Sequence, residues 1–178
     1  VRELMDSGHD VTIVDNLHVG DGSSLLQYLG RSSVSVEIGD IRNADYLDSV
    51  VAGQDKVVHL AAIVGEPACD KDENLAEQIN VQGSANVLSA CLKHKVKQLV
   101  FLSTASSYGV QDDSRIATEL TPTNPISFYA KTKLDMEEVL LNSATGETYV
   151  TILRPSTVYG TSGRMRFDLI ANTMTKTC

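Results

Sequence analysis

A tyrosine and a lysine four residues apart form the pair in this chain best suited to acid–base chemistry. They stand in the run Tyr129-Ala-Lys-Thr-Lys133. Residues at this spacing share one face of a helix, so the Tyr129 hydroxyl and the Lys133 ammonium can enter one site. A cation about 4 Å from the phenolate, at an effective dielectric of roughly 20, contributes about 4 kcal/mol, or about three pKa units. Burial of the phenol opposes that shift, so the figure is an upper one, but it brings Tyr129 towards a general base at neutral pH.

The surroundings of this pair decide between catalysis and an ordinary solvated helix. Ser103 and Thr104 end an apolar run 25 residues before Tyr129 and offer further hydroxyl groups. A loop of about twenty residues separates Thr104 from the tyrosine. A connection that long inside a compact domain is more often functional than idle. These features favour a site without defining its chemistry.

Composition excludes several classes of function. The chain has 178 residues, 42% of them hydrophobic, which suits one domain with a proper core. Its net charge is -8 and its lysines and arginines are scattered, which argues against a nucleic-acid partner. Cys69, Cys91 and Cys178 are odd in number and far apart, so neither a disulfide framework nor a metal site is predicted. With no signal peptide and no apolar run long enough to span a bilayer, we expect a cytoplasmic protein without a membrane partner.

Short β-branched runs alternate with helical patterns along the chain. This alternation predicts βαβ units around a parallel sheet, and therefore the α/β class. The predicted strands are Val11–Val14, Val34–Ile38, Val57–Leu60, Leu99–Ser103 and Tyr149–Leu153.

The helices between these strands carry recognisable end signals. Asn43 is a good N-cap for one helix, and Gly53 suits its C-terminal end. Ser127 is placed to cap the helix with the tyrosine–lysine pair. One long helix is predicted from about Asn74 to His94, and Gly83 inside it is explained either by close backbone packing or by chance.

Asp15 ends the first predicted strand, in Val11-Thr-Ile-Val-Asp15. A carboxylate at such a strand tip in a dinucleotide-binding fold accepts hydrogen bonds from the adenosine ribose and repels a 2′-phosphate, so it selects NAD over NADP. The glycine fingerprint of that fold lies about 20 residues before the acid, and only fourteen residues precede Asp15. We therefore expect a fragment that begins inside the helix after the fingerprint, a helix closed by Gly8.

Six segments in order and at family spacing resemble the extended short-chain dehydrogenase/reductase family. Within it, they are similar to the NAD-dependent epimerase/dehydratase group that acts on nucleotide sugars. The resemblance covers essentially the whole chain. The segments are Val14–Leu17, Gly39–Arg42, Val58–Ala62, the pattern Asn80-x-x-Gly83-x-x-Asn86, Phe101–Gly109 and Leu153–Gly160.

The resemblance implies a Rossmann-type, doubly wound parallel sheet. Residues 1–178 would form a partial NAD-binding domain that lacks the first central strand and most of the C-terminal substrate region. The missing strand would leave a gap between the first and third strands of this chain. Relatives often dimerise through the tyrosine–lysine helix and the helix before it, so a homodimer is expected for the full-length protein.

The resemblance also assigns roles to single residues. Tyr129 would take the proton from a sugar hydroxyl, Lys133 would lower the phenol pKa and hold the nicotinamide ribose, and Thr104 would bind the reacting oxygen. No metal is implied. The residues expected to hold NAD are Asp15, Asn16, Asp40, Ile41, Leu60, Ala61, Ala62, Asn80, Ser103, Tyr129, Lys133 and Pro155.

The activity implied is that of a nucleotide-sugar epimerase, with inversion at C4 preferred, working through a transient keto sugar. Family dehydratases usually place Asp-Glu after the catalytic threonine, whereas Ala105 and Ser106 stand here. A reductase or dehydratase of the same family, or a non-catalytic NAD-binding sensor, remains the alternative.

The resemblance also bears on substrate contacts. Thr157 replaces an asparagine that binds substrate in many relatives. Arg164 and Arg166 are either contacts for a substrate diphosphate or solvated charges.

Overall fold

A computed structural model describes residues 1–20, 22–111, 116–143, 146–160, 162, 166 and 169–177 of the chain. Arg164 and Cys178, both singled out above, lie outside these ranges. In the described part, no helix is long and apolar enough to cross a bilayer.

Strands and helices alternate as the sequence predicts. Each observed strand lies within one residue of its predicted bounds at both ends. The strands are β1 Val11–Asp15, β2 Val34–Ile38, β3 Lys56–His59, β4 Gln98–Leu102 and β5 Tyr149–Leu153. The α-helices are α1 Arg2–Asp6, α2 Ala44–Val51, α3 Glu66–Lys71, α4 Glu73–Glu77, α5 Ser84–Lys93, α6 Phe128–Asn142 and α7 Ile170–Thr177.

The strands make two parallel sheets within the described residues. β1 pairs with β2, and β4 lies between β3 and β5. β1 and β3 are not paired with each other in the described part of the chain, and that a missing strand accounts for this stays a prediction. The chain also divides into two compact units: unit 1 holds Val1–Asp40 and Thr157–Cys178, and unit 2 holds Ile41–Ser156.

The core of unit 2 fixes the helix that carries the tyrosine–lysine pair. Leu99 and Phe101 of β4 are buried in one apolar cluster with Met136 and Leu140 of α6. Burying side chains of this size stabilises a fold by about 1.5–3 kcal/mol each, so α6 is held firmly against the central strand of its sheet. The face of α6 that meets β4 is therefore fixed before any ligand binds.

The predicted helix caps are confirmed. The Asn43 side chain accepts a hydrogen bond from Tyr46 N at 3.0 Å and starts α2, and Gly53, with φ of 78°, follows the end of that helix. Ser127 Oγ accepts from Ala130 N at 3.2 Å and starts α6. Such caps contribute about 1 kcal/mol each. The second cap sets the first turn of the helix in which the tyrosine lies.

The prediction of one regular helix over 74–94 is wrong in its middle. α4 and α5 are joined by a π-helical turn, Gln78–Gly83. Its wider turn carries Asn80, which is fully buried and hydrogen-bonded to the backbone of Ile63. The π-helical turn thus occurs where Asn80 bonds to Ile63, 17 residues earlier in the chain. Local periodicity does not predict such a turn.

Gly83 is needed for a close approach. A Cβ built there would lie 2.7 Å from both Cδ1 and Cγ1 of Ile41. Of the two explanations given above for this glycine, the structure supports close packing. The contact joins the π-helical turn to the segment that follows β2.

Replacing Gly83 by alanine tests this contact. Alanine gains about 1 kcal/mol in helix propensity, but overpacking costs about 1–3 kcal/mol. We expect Gly83→Ala to lower the free energy of unfolding, measured by urea denaturation, by about 1 kcal/mol net. In an Ile41→Ala background the same change should be neutral or stabilising. An equal loss in both backgrounds would show that Ile41 is not the obstacle.

Candidate active site

The end of β4 presents Thr104 in a fixed backbone. Ser103 N donates to Leu153 O at 2.7 Å, and Ala105 N donates to Pro155 O at 3.0 Å, so both neighbours of Thr104 are tied to the strand end of β5.

Thr104 is 9% exposed. Its Oγ1 accepts from Ser106 N at 3.2 Å and caps a short 3₁₀ turn, Ala105–Tyr108. Because that oxygen acts as an acceptor inside the protein, its own proton can be donated to a bound oxygen.

Tyr129 and Lys133 lie one turn apart on α6, as predicted. Tyr129 is half-buried and packs against the small apolar cluster that contains Ile63 and Cys69. α6 also packs against the 3₁₀ turn that follows Thr104. The structure therefore brings the elements carrying the three predicted catalytic residues together within unit 2.

Lys133 is a cationic side chain that is almost completely buried in unit 2. It is only 2% exposed, and its Nζ lies 4.7 Å from the centroid of the Phe101 ring. The described part of the chain offers that Nζ no hydrogen-bond acceptor. Burial lowers the pKa of Lys133 to about 8, so the group is still mainly an ammonium at neutral pH. A buried cation with no acceptor among the described residues is suited to a ligand oxygen or to a neighbouring phenolate.

His59 is a buried, uncharged residue within electrostatic reach of Lys133. Its Nε2 is 2.8 Å from Ser84 Oγ, and its ring centroid is 5.7 Å from that of Phe101. Burial, with a smaller contribution from the positive charge of Lys133, lowers the pKa of His59 to about 3. Neutral His59 therefore adds no second charge beside the ammonium.

A buried ion pair lies one turn beyond Lys133 and was missed by the sequence reasoning. Glu137 is 3% exposed, and its carboxylate accepts from Arg154 and from Ser103 Oγ. The hydrogen bonds to Glu137 keep the pKa of Arg154 above its usual value. The guanidinium also lies 5.0 Å from the centre of the Tyr108 ring. One signal was available in the sequence, because Glu137 continues the four-residue spacing of the tyrosine–lysine pair.

Asn80 is engaged inside the protein. Its Oδ1 accepts from Ile63 N at 2.8 Å, while Nδ2 donates to Ile63 O at 3.1 Å and to Thr132 Oγ1 at 3.3 Å. The amide thus fastens the segment after β3 to α6.

The three residues that precede Ile63 are more open to solvent: Leu60 and Ala61 are exposed and Ala62 is half-buried. That these residues and Asn80 contact NAD stays a prediction.

Unit 1 brings its three predicted cofactor residues together. Asp15 ends β1 and Asp40 follows the adjacent strand β2. Asn16 Nδ2 donates to Asp40 Oδ2 at 3.0 Å, and Asp15 Oδ1 accepts from Leu17 N at 2.7 Å. The carboxyl ends of neighbouring parallel strands are the usual place for a dinucleotide's adenosine half. Exposed Asp15 is available there for a diol.

The buried neutral His59 predicts a particular acid sensitivity. Between about pH 6.5 and about pH 3 the unfolded chain binds a proton that the folded protein refuses, so this group lowers stability as pH falls, by about 1.4 kcal/mol per pH unit. His59→Gln should remove this slope while keeping a polar group near Ser84. Urea denaturation of both proteins across this range measures the difference. Identical pH dependence in both would contradict a neutral His59.

Known proteins resemble this chain in sequence and in fold. The family model described as the NAD dependent epimerase/dehydratase family matches residues 1–176. An N-acetyl-alpha-D-glucosaminyl-diphospho-ditrans,octacis-undecaprenol 4-epimerase of Escherichia coli O157:H7 is 37% identical over 72% of this chain and 38% of its own length. A UDP-glucose 4-epimerase of Lactobacillus helveticus is 34% identical over 91% of this chain and 48% of its own.

A solved structure is similar over nearly the whole chain. The dTDP-glucose 4,6-dehydratase DesIV of Streptomyces venezuelae, solved with NAD and TYD bound, superposes with a TM-score of 0.88 and 25% identity, over 98% of this chain and 56% of its own. The chain therefore spans about half the length, or less, of these relatives. With the family model, the two 4-epimerases and this fold in agreement, the chain belongs to the NAD-dependent epimerase/dehydratase family.

Proposed function

We propose that this chain is the cofactor-binding and catalytic part of a nucleotide-sugar 4-epimerase. The observation that carries the proposal is the buried ammonium of Lys133, which lies one helical turn from Tyr129 and has no acceptor in the described part of the chain. The relatives named 4-epimerases support the choice of reaction.

The residues present fit NAD. Exposed Asp15 and the linked Asn16–Asp40 pair suit the diol of an adenosine ribose, and the carboxylate charge disfavours a 2′-phosphate. The buried Lys133 ammonium suits the hydroxyls of the nicotinamide ribose. When bound, NAD+ supplies the chemistry of accepting hydride from the sugar carbon and giving it back.

The residues of unit 2 supply the proton chemistry. Tyr129, as the phenolate, takes the proton from the sugar C4 hydroxyl, while Lys133 stabilises that phenolate. The Thr104 proton hydrogen-bonds the reacting oxygen, since Thr104 Oγ1 is already an acceptor for Ser106 N. After the keto sugar has turned over, Tyr129 returns its proton to the carbonyl oxygen. Inversion then needs no net oxidant.

Competing activities make different demands on the site. Elimination of water needs a second acid–base pair, and Ala105 and Ser106 after Thr104 supply none. A reductase would more often use NADPH, which Asp15 disfavours. A non-catalytic sensor has no use for an intact tyrosine–lysine pair. The fold does not separate these activities, since a dehydratase is among its neighbours.

Dimerisation is proposed through α5 and α6, as the resemblance implies. Val139 and Leu141 of α6 are exposed in the chain by itself, so this helix carries apolar surface outside the core of unit 2. Such a partner surface would leave Tyr129 and Lys133 untouched, because both lie on the inner side of the helix.

Tyr129→Phe tests the reaction directly. In the protein that contains this chain, conversion of UDP-glucose to UDP-galactose with NAD+ should proceed without accumulation of NADH. Loss of the acid–base group should slow it by about 10²–10⁴-fold and leave NAD+ affinity within a few-fold of wild type. Tyr149→Phe, at an exposed position on β5, is the control. NAD+ binding without conversion of any nucleotide sugar would favour the sensor.

Asp15→Asn tests cofactor choice. Asparagine keeps an oxygen for Leu17 N but removes the charge that faces a 2′-phosphate. We expect the preference for NAD+ over NADP+ in binding titrations to fall about tenfold or more, equivalent to about 1.4 kcal/mol. Asp10→Asn, before the start of β1, should leave the preference unchanged. An unaltered ratio in Asp15→Asn would remove this residue from the cofactor site.

A further inference from the structure

Two buried opposite charges follow each other on α6 without forming a pair. Lys133 and Glu137 are one turn apart, and both are almost completely buried. This spacing normally lets an ammonium and a carboxylate meet, and their attraction increases in a poorly solvated interior. Here the Lys133 Nζ lies over the Phe101 ring instead, and the carboxylate turns to other donors.

Arg154 and Ser103 occupy the acceptor positions of Glu137. Arg154 Nε donates to Oε1 at 2.9 Å and to Oε2 at 3.0 Å, and Arg154 Nη2 also donates to Oε2. Ser103 Oγ donates to Oε1. A planar guanidinium that meets a carboxylate with two nitrogens fixes its orientation as well as its charge.

The guanidinium is itself held from two sides. Arg154 directly follows β5, whose register with β4 is fixed by parallel pairing, and its guanidinium lies against the Tyr108 ring. Its neighbour Pro155 accepts from Ala105 N. Arg154 therefore has little freedom to release Glu137 while the strand ends keep their places.

We propose that Arg154 is a positioning residue that keeps the Glu137 carboxylate away from Lys133, so that the ammonium charge acts on Tyr129. The inference rests on the proposed function only in taking Tyr129 as the acid–base group. If Glu137 captured Lys133, the pair would be nearly neutral, and the phenolate would lose its stabilising cation. The phenol pKa would then rise and the catalytic base would be protonated at neutral pH.

A simple structural clamp makes a different prediction. If the ion pair only braced α6 against the strand ends, loss of either partner would disturb the site, and loss of both would be no better. If Arg154 instead keeps the Glu137 carboxylate away from Lys133, the two single changes have unequal effects. Removal of Glu137 then also cancels the effect of removing Arg154.

The test is a titration of Tyr129 that needs no substrate. Tyrosinate absorbance is followed against pH for each variant and for its Tyr129→Phe counterpart, and the difference reports this one phenol. Arg154→Met should raise the phenol pKa by about one unit or more, whereas Glu137→Gln should leave it near the wild-type value. The double variant Glu137→Gln/Arg154→Met should restore that value. Arg31→Met, at an exposed arginine of unit 1, is the control.

Arg154→Lys covers the case in which Arg154→Met does not fold, as circular dichroism would show. Lysine keeps the charge but not the two-nitrogen contact, so a smaller rise is expected, again cancelled by Glu137→Gln. An unchanged phenol pKa in the folded arginine variants, or an equal rise in the double variant, would overturn the inference. A normal titration in a wild-type protein that converts no nucleotide sugar would contradict the proposed function alone.

Discussion

The burial of one ammonium group constrains the whole of unit 2. Desolvating a charge costs several kcal/mol, and Lys133 recovers only part of this through the Phe101 ring. Met136 and Leu140 anchor α6 in the core, and this keeps Lys133 on the buried face of the helix. The fold therefore maintains a charge that becomes favourable only when a phenolate or a ligand oxygen lies beside it, as expected of a site built for function.

The polar groups around this charge are arranged so that none of them neutralises it. His59 is kept uncharged by burial, and Glu137 is saturated by Arg154 and Ser103. The Asn80 side-chain amide donates its hydrogen bonds to Ile63 O and Thr132 Oγ1. Satisfied networks of this kind fix one geometry, whereas a half-satisfied network would leave several of similar energy. The same hydrogen bonds thus position the strand ends and keep the Lys133 charge from being neutralised.

Local sequence signals predicted the strands and the helix caps. Features that depend on contacts between residues far apart in the chain were not predicted. β-branched runs located the five strands found among the described residues, and the caps Asn43 and Ser127 follow from chemistry within a few residues. The π-helical turn could not be read in the same way, because it accompanies hydrogen bonds to distant Ile63. The Glu137–Arg154 pair joins a helix to a strand end 17 residues on, and its partners are apparent only once the parallel register is known. The prediction that Thr104, Tyr129 and Lys133 act together came from a family resemblance, because a resemblance carries such long-range information.

The most direct test of the account measures the titration of Tyr129 with and without its lysine. Nuclear magnetic resonance of protein labelled with ¹³C at the tyrosine Cζ, compared with Tyr129→Phe for assignment, follows the phenol in wild type and in Lys133→Met. We expect a wild-type phenol pKa clearly below the ordinary value of about 10, and a rise to about 10 or above in Lys133→Met. The same pKa in both proteins would contradict the claim that the buried ammonium controls this phenol.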